Sequence, residues 1–479
     1  MLKEKKFFDI HCHAMNLSHP YFLSFIKQFN IPLLLAANSL FGPLSSFIIG
    51  KKINKVENLM SVMENDVGNI FFLMESCIKN CQPPLVRNGK VNIGGNEYSK
   101  IVLTPLLIDF GYKGMASAAI HYNEPSHKPV VEQVIDVFNG IKAYKEKYEN
   151  GGNLFEIFPF LGINTQNYPL GKETTEKVGS EPPLHFLPRE LQRKVLYRKK
   201  SGKLVFRGEM RPDEKNALAE LFIRSEDKNA VERLFKNSQD LKKRNTIPKM
   251  LEKYFAQYHR NPNELLSKMG AFDGNIENLT SNFFSGIKVY PPLGFDPWPE
   301  GDKEELRKVK YLYRYCCKKK IPITAHCNES GFVVLNKKQV QTYTSPDQWE
   351  KVLKRYPELK LNLAHMGRQN KFLGILNMHQ WSRKALKLAL KYENVYIDFS
   401  CRGDEDKFYK LLKKLIAEFP EKQREKLMKR ILFGSDFSIN LMWCSSYNEY
   451  MNCFSNTPVL SPQEKDLFGS MNPEKFLFD

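Results

Sequence analysis

The stretch Asp9-Ile10-His11-Cys12-His13 places two imidazoles one residue apart, at the end of a short apolar run that begins at Phe7. Alternate residues of an extended strand point the same way, so His11 and His13 can grip one metal ion. Three more candidates lie far downstream, and each closes a strand-like apolar run. They are His326 in Ile321-Pro-Ile-Thr-Ala-His326, His365 in Leu361-Asn-Leu-Ala-His365 and Asp436 in Ile431-Leu-Phe-Gly-Ser-Asp436. Neutral imidazoles with a carboxylate suit a borderline divalent ion such as zinc, and a catalytic site leaves one position for water or substrate. Zinc lowers the pKa of a bound water from 15.7 to about 7, which supplies a nucleophile at neutral pH.

Residues so far apart in sequence need a fold that gathers strand ends. Strand-like runs fall at about residues 7–12, 101–109, 154–163, 283–290, 321–326, 359–365, 395–399 and 431–436, with helix-like segments between them. Leu306, Val309, Tyr313 and Cys316 share one helix face, as do Phe408, Leu411, Leu412 and Leu415. Eight strands with crossover helices give the expected fold class, α/β, as a (β/α)8 TIM-like barrel. Chemistry in such barrels collects at the carboxyl ends of the strands, where His11, His13, His326, His365 and Asp436 all stand. Closure brings the first and last strands together, which an open sheet does not.

The barrel rhythm stops between about residues 165 and 282, where a charged, helix-rich insertion follows the third strand. Leu218, Leu221 and Phe222, then Val231, Leu234 and Phe235, then Leu251, Tyr254, Phe255 and Tyr258 recur at helical spacing. Such stripes read as packing faces. Because the insertion leaves after a strand's carboxyl end, a lid or specificity element is a natural expectation for it.

The ordered set HxH, His, His, Asp resembles the amidohydrolase superfamily, particularly its branch of metal-dependent hydrolases and decarboxylases, and the resemblance runs over nearly the whole chain. It implies that Asp436 both holds the metal and takes a proton from its water, while His365 polarises a substrate carbonyl or donates to a leaving group. In a one-metal arrangement the ligands are His11, His13, His326 and Asp436, with His365 as acid/base or orienting group. In a two-metal arrangement His326 and His365 share the second ion.

Lys288 decides between them. It ends the fourth strand in Gly286-Ile-Lys288-Val-Tyr290-Pro-Pro-Leu-Gly294, on the same face as Tyr290. Some amidohydrolases bridge two metals at this place with a carboxylated lysine, whereas an unmodified ammonium repels a cation and pairs with a substrate carboxylate or a neighbouring acid. A structural role is the third alternative. One divalent ion, with zinc expected, is the favoured reading, and two follow if Lys288 is carboxylated. Glu329, Arg368, Asp398 and Arg402 are candidates for orienting a ligand, and Tyr290, Lys288 and Arg402 hint at an acidic or phenolic group on the substrate. His19, His121 and His185 lack a comparable context.

Composition bounds the rest. A chain of 479 residues with 42% hydrophobic content can bury a large core, as one elaborated barrel or a barrel with an inserted subdomain. The nine cysteines are scattered and odd in number, with Cys316 and Cys317 adjacent, which fits reduced thiols and a cytoplasmic location. The metal-binding pair arrives by residue 13, so no secretory signal is expected ahead of it. The uncharged stretch 31–50 nears membrane-spanning length but holds Pro32, Asn38, Gly42 and Pro43, and reads as a buried helix and loop. A formal charge of +19 invites polyanions, yet its lysines fall in separate patches expected on solvated faces, so nucleic acid is disfavoured as a partner. The expected function is hydrolysis of a carbonyl-type C–N or C–O bond in a small molecule. Non-oxidative decarboxylation of a small carboxylic acid is the alternative, and a nuclease or polyanion-binding role stands third; a homo-oligomer is compatible with each.

Overall fold

The computed structural model describes residues 4–20, 55–111, 130–148, 152–170, 173–208, 210–222, 229–242, 246–258, 260–264, 283–369 and 379–479. His121 and the apolar stretch 31–50 lie outside these. The chain divides into two compact units, Met1–Asn164 with Lys253–Asp479, and Thr165–Glu252. No described helix is long and apolar enough to cross a membrane.

The first unit opens with β1 (Lys6–Cys12). A small antiparallel sheet of β2 (Val86–Arg87), β3 (Lys90–Ile93) and β4 (Asn96–Tyr98) precedes β5 (Lys100–Pro105). β1 pairs in parallel with β5, which pairs in parallel with β6 (Phe155–Ile157). β7 (Phe160–Gly162) follows directly but belongs to a second sheet. The run expected as one strand over 154–163 is therefore broken, and the break falls at Phe158-Pro159. Proline has no N–H to give a ladder, so it stands where pairing changes from one neighbour to another.

The second unit, Thr165–Glu252, contains a three-stranded antiparallel sheet in the order β8 (Glu173–Lys177), β10 (Lys203–Arg207), β9 (Val195–Arg198). Leu218, Phe222, Val231 and Leu234 of two helices bury against Leu204 and Phe206 of this sheet, with Leu221 and Phe235 partly buried beside them. The first two helical stripes thus pack as a core. The sheet is a feature the sequence pattern does not announce, because β8 and β10 carry charged residues that hide any clean alternation.

Beyond it the second sheet of the first unit continues in strict sequence order: β7, β11 (Gly286–Val289), β12 (Ile323–Ala325), β13 (Leu361–Leu363), β14 (Val395–Asp398) and β15 (Ile431–Leu432), every pair parallel. All residues of β11 to β15 are buried, the pattern of parallel strands covered on both faces. The covering helix Lys303–Lys319 starts where the Asp302 side chain accepts from the N–H groups of Glu304 and Glu305, buries Val309, Leu312, Tyr313 and Cys316, and ends at Lys320 in the left-handed region. Backbone hydrogen bonds also join the two sheets at both ends. Leu107 N–H donates to Phe160 O at 3.1 Å, and Ile10 N–H donates to Phe433 O at 3.3 Å. β1 is thereby tied to the segment that follows β15.

Candidate metal centre

Asp9, His11 and His13 follow one another at alternate positions of β1 and its extension, and the tie to the post-β15 segment brings Asp436 to them. Asp436 N–H donates to His11 O at 2.6 Å, and His13 N–H donates to Phe437 O. His11, His13 and Asp436 form a buried trio whose potential ligand atoms all lie within 4.8 Å of one another. Asp436 Oδ1 stands 3.4 Å from His11 Nε2 and 3.2 Å from His13 Nε2.

The hydrogen bonds on the far side of each ring fix which nitrogen faces inward. His13 Nδ1 lies 2.9 Å from the Leu106 carbonyl, which can only accept, so it carries the proton and the neutral ring turns its Nε2 lone pair toward Asp436. His11 Nδ1 lies 3.0 Å from Asp398 Oδ2, which sets the same orientation. Lone pairs facing a carboxylate oxygen are a cradle for a cation. A tetrahedral ion with bonds of about 2.0–2.2 Å separates its ligands by about 3.3–3.6 Å, close to the distances seen here. The three side chains therefore fit a divalent metal.

His326 and His365 stand together beside this trio. His365 Nε2 is 3.1 Å from His326 Nδ1, and the His365 ring centroid lies 4.9 Å from that of His11. His326 Nε2 lies 2.8 Å from the Ser330 carbonyl, so its Nδ1 presents the lone pair. Burial holds the imidazoles of His11, His326 and His365 below their ordinary range, His11 to about 3, with Lys288 adding to the effect. They are neutral, the form that binds metal. Burial alone would raise the Asp436 carboxyl, but His13, His365 and His11 outweigh it and hold the group ionised.

Lys288 is buried with its Nζ 3.4 Å from His11 Nε2. Burial lowers its ammonium to about 8, partly offset by Asp398 and Asp436. A cavity of about 540 Å³ opens on the cluster, with His13, Tyr290, His326, His365, Arg368 and Asp436 in its wall and Phe332, Leu335, Ile439 and Trp443 supplying apolar surface. Glu329 lines it as well. Tyr290 stacks on His326 with centroids 4.2 Å apart, and its hydroxyl accepts from Phe332 N–H at 3.1 Å.

Asp398 proves to be more than a flanking charge. Its carboxylate meets His11 Nδ1, accepts from Asn362 Nδ2 at 2.6 Å, from His365 N–H at 3.1 Å and from Ser400 N–H at 3.0 Å. Asp9 is the second such anchor: it accepts from Ser435 N–H at 2.9 Å, Ser435 Oγ at 2.6 Å and Tyr447 OH at 3.1 Å. Sequence reasoning assigned no role to Asp9, Asn362, Ser400, Ser435 or Tyr447. The signal present was adjacency: Asp9 shares the His11 face, and Ser435 directly precedes Asp436. His365 (φ 59°) and Asp436 (φ 63°) adopt left-handed backbone, costly for non-glycine residues and concentrated at functional sites. Of the other histidines, His19 pairs with Asp136 at 2.7 Å and His185 is exposed.

Residues 268–478 match the family model for amidohydrolases. The matched segment covers less than half of the chain. It contains Lys288, His326, His365, Asp398 and Asp436, and begins after the HxH pair. No curated protein matches the chain. Among solved structures, amidohydrolase 2 from Bifidobacterium longum subsp. infantis is 16% identical over 41% of this chain, with a TM-score of 0.24, and the chain spans 62% of its length. A metal-dependent hydrolase from Lactobacillus casei is 11% identical over 99% of this chain and 95% of its own, with a TM-score of 0.33. An amidohydrolase from Burkholderia multivorans with bound zinc is 14% identical over 47% of this chain and 81% of its own, at 0.30. Superposition at this level is loose, so the family match and the geometry of the site carry the weight.

Proposed function

We propose that this protein is a metal-dependent hydrolase that turns water on a carbonyl-type C–N or C–O bond of a small molecule, on a closed (β/α)8 barrel formed by the two parallel sheets together. The observation that carries it is the trio His11, His13 and Asp436, with two ring lone pairs and a carboxylate oxygen facing one point. These residues would hold a divalent ion, zinc by the donor set, with the fourth protein position open to His326. Such an ion supplies Lewis acidity and lowers the pKa of a water to about 7. Asp436 would accept that water's proton. His365, fixed by its backbone bond to Asp398, faces the cavity to orient or polarise the carbonyl.

The pairing of His326 with His365 supports a second ion site only if Lys288 carries a carboxylate to bridge the two ions; the ammonium itself, 3.4 Å from His11 Nε2, would repel even the first, so one bound ion would favour the neutral amine. Metal analysis distinguishes the two forms: one zinc per chain is expected, and two with a carbamate detected on Lys288 would replace that reading. The reaction is tested with a panel of lactones, esters and cyclic amides in 18O-water. Label in the product supports hydrolysis, while carbon dioxide release without label from the matching acids would favour a decarboxylase. The compact unit Thr165–Glu252 is assigned a role in specificity on its place after the third strand, to be tested by its deletion.

A further inference from the structure

The helix Lys303–Lys319 carries Lys310, Arg314 and Lys318 at intervals of four residues, so the three project from one face. Arg355 closes the last turn of the helix Pro346–Arg355, and Tyr356 and Glu358 follow it. Together with Cys317 these residues line a second cavity of about 530 Å³, whose wall sets four cationic side chains against one carboxylate. Like charges four apart on a helix repel, and among the described residues none of the four cations forms an ion pair. Cations nearby do find acids: Lys351, one turn before Arg355 on the same helix, meets Glu300 at 2.9 Å, and Arg383 meets Glu418 at 2.7 Å. Lys310 sets its ammonium over the Trp298 ring at 5.2 Å, and Arg314 donates from Nε to the Lys310 carbonyl at 3.2 Å, which leaves both of its Nη groups to spare. Glu358 is engaged by the Cys317 thiol. The negative end of a helix dipole accounts for Lys318 and Arg355, which stand in last turns, but Lys310 and Arg314 lie further back than that effect reaches. Unpaired cations gathered round a hollow at a cost in self-repulsion are suited to receive an anion.

We infer that this second cavity is a binding site for a diphosphate group, free or carried by a small molecule, separate from the proposed metal centre. Guanidinium forks match phosphate oxygens two at a time, and ammonium groups add point charge. The hollow is roomier than one phosphate needs, and the excess of positive charge in its wall calls for a multiply charged occupant. Tyr356 is only 7% exposed and offers no open ring face for a base, so the anionic group carries the recognition. Both helices end here, just before β12 and β13 begin, whereas His326 and His365 follow the far ends of those same strands. The occupant therefore takes no part in chemistry at the metal ligands. It relieves the repulsion among the four cations and ties the helix Lys303–Lys319 to Arg355, which stabilises the fold by mass action.

The full-length, zinc-loaded protein is titrated calorimetrically with pyrophosphate, adenosine diphosphate and sulfate at fixed ionic strength. Pyrophosphate is expected to bind at least about tenfold tighter than sulfate and to raise the melting temperature. Arg314→Gln and Arg355→Gln, both at exposed positions, should each weaken it by about tenfold and leave zinc content unchanged, while Glu358→Gln, which removes the one negative charge of the wall, should tighten it by about threefold. Because pyrophosphate also complexes zinc, the titration is repeated on protein stripped of the metal, where binding should persist. Adenosine diphosphate binding as tightly as pyrophosphate supports a site for the diphosphate alone, and tighter binding supports a nucleotide as its occupant. Pyrophosphate no tighter than sulfate, binding that vanishes with the zinc, or binding unchanged in both arginine variants would overturn the site. So would a heparin fragment that binds through the same arginines where pyrophosphate does not, since the patch would then be a surface for polyanions.

Discussion

Replacing Asp398 with asparagine probes the site through a residue that need not touch the metal. Asparagine keeps one oxygen, which can still accept from His365 N–H and Ser400 N–H, but it places an amide group where Oδ2 now meets His11 Nδ1 at 3.0 Å and Asn362 Nδ2 at 2.6 Å. Donor then faces donor. His11 loses the partner that fixes its proton on Nδ1, and the tautomer with the proton on Nε2 has no lone pair for the ion. Loss of such a supporting carboxylate weakens metal affinity by about 10–100-fold, equivalent to about 1.4–2.7 kcal/mol. The fold without metal should lose about 1–3 kcal/mol from the unpaired buried donors. Zinc affinity is read by competition with a chromogenic chelator, and apo stability by urea unfolding. At a fixed free zinc concentration the stabilisation by metal should shrink by the same amount as the binding energy. An unchanged zinc affinity in a folded Asp398→Asn protein would refute the claim that His11 is a ligand held by Asp398.

Asp436→Ala removes the oxygen on which both β1 imidazoles converge, and zinc bound per chain should fall to near zero in metal analysis while the circular dichroism spectrum is retained. Gly434→Ala puts a methyl carbon 2.6 Å from His11 Cβ; overpacking of this kind costs about 1–3 kcal/mol, so both the melting temperature and zinc affinity should drop, and a neutral result would mean the two segments are not held in register. Lys360, buried with its Nζ donating to the Lys475 and Asp479 carbonyls, has its ammonium lowered to about 7 by burial and by Arg260 and Lys320. Between about pH 7 and pH 10 the unfolded lysine binds a proton that the folded one has released, so stability should rise with pH through that window, and Lys360→Met should flatten the rise.

Much of this was legible in the sequence, and the part that was not has a common cause. The HxH pair, His326, His365 and Asp436 each close an apolar run, and apolar runs with turn signals are what local sequence reports well. The eight runs correspond to β1, β5, the bent pair β6 and β7, and β11 to β15. The bend at Pro159 was hidden because a single proline looks alike in a strand's middle and at a change of partners. The gathering of His11, His13 and Asp436 was readable from strand order, and the nearness of His326 to His365 was expected in the two-metal arrangement; which ring nitrogens face each other was not, since that depends on the bond of His326 to Ser330. Asp9 was invisible for a different reason. Its partners Ser435 and Tyr447 lie 426 and 438 residues away, and nothing local marks a carboxylate for so distant a bond.

Those distant bonds explain how a costly arrangement persists. Asp436 holds a left-handed backbone conformation in the loop after a two-residue strand, β15, which is too short to fix it alone. The loop is instead fixed from β1. Ile10 N–H bonds Phe433 O, His11 O receives Asp436 N–H, His13 N–H bonds Phe437 O, and the Asp9 carboxylate takes both donors of Ser435. The strand that supplies two of the proposed metal ligands therefore also supplies the template for the third. If the trio holds a metal, its coordination geometry and the tie between β1 and the segment after β15 depend on the same bonds, and disturbing Asp9 should loosen the metal site and the fold in proportion.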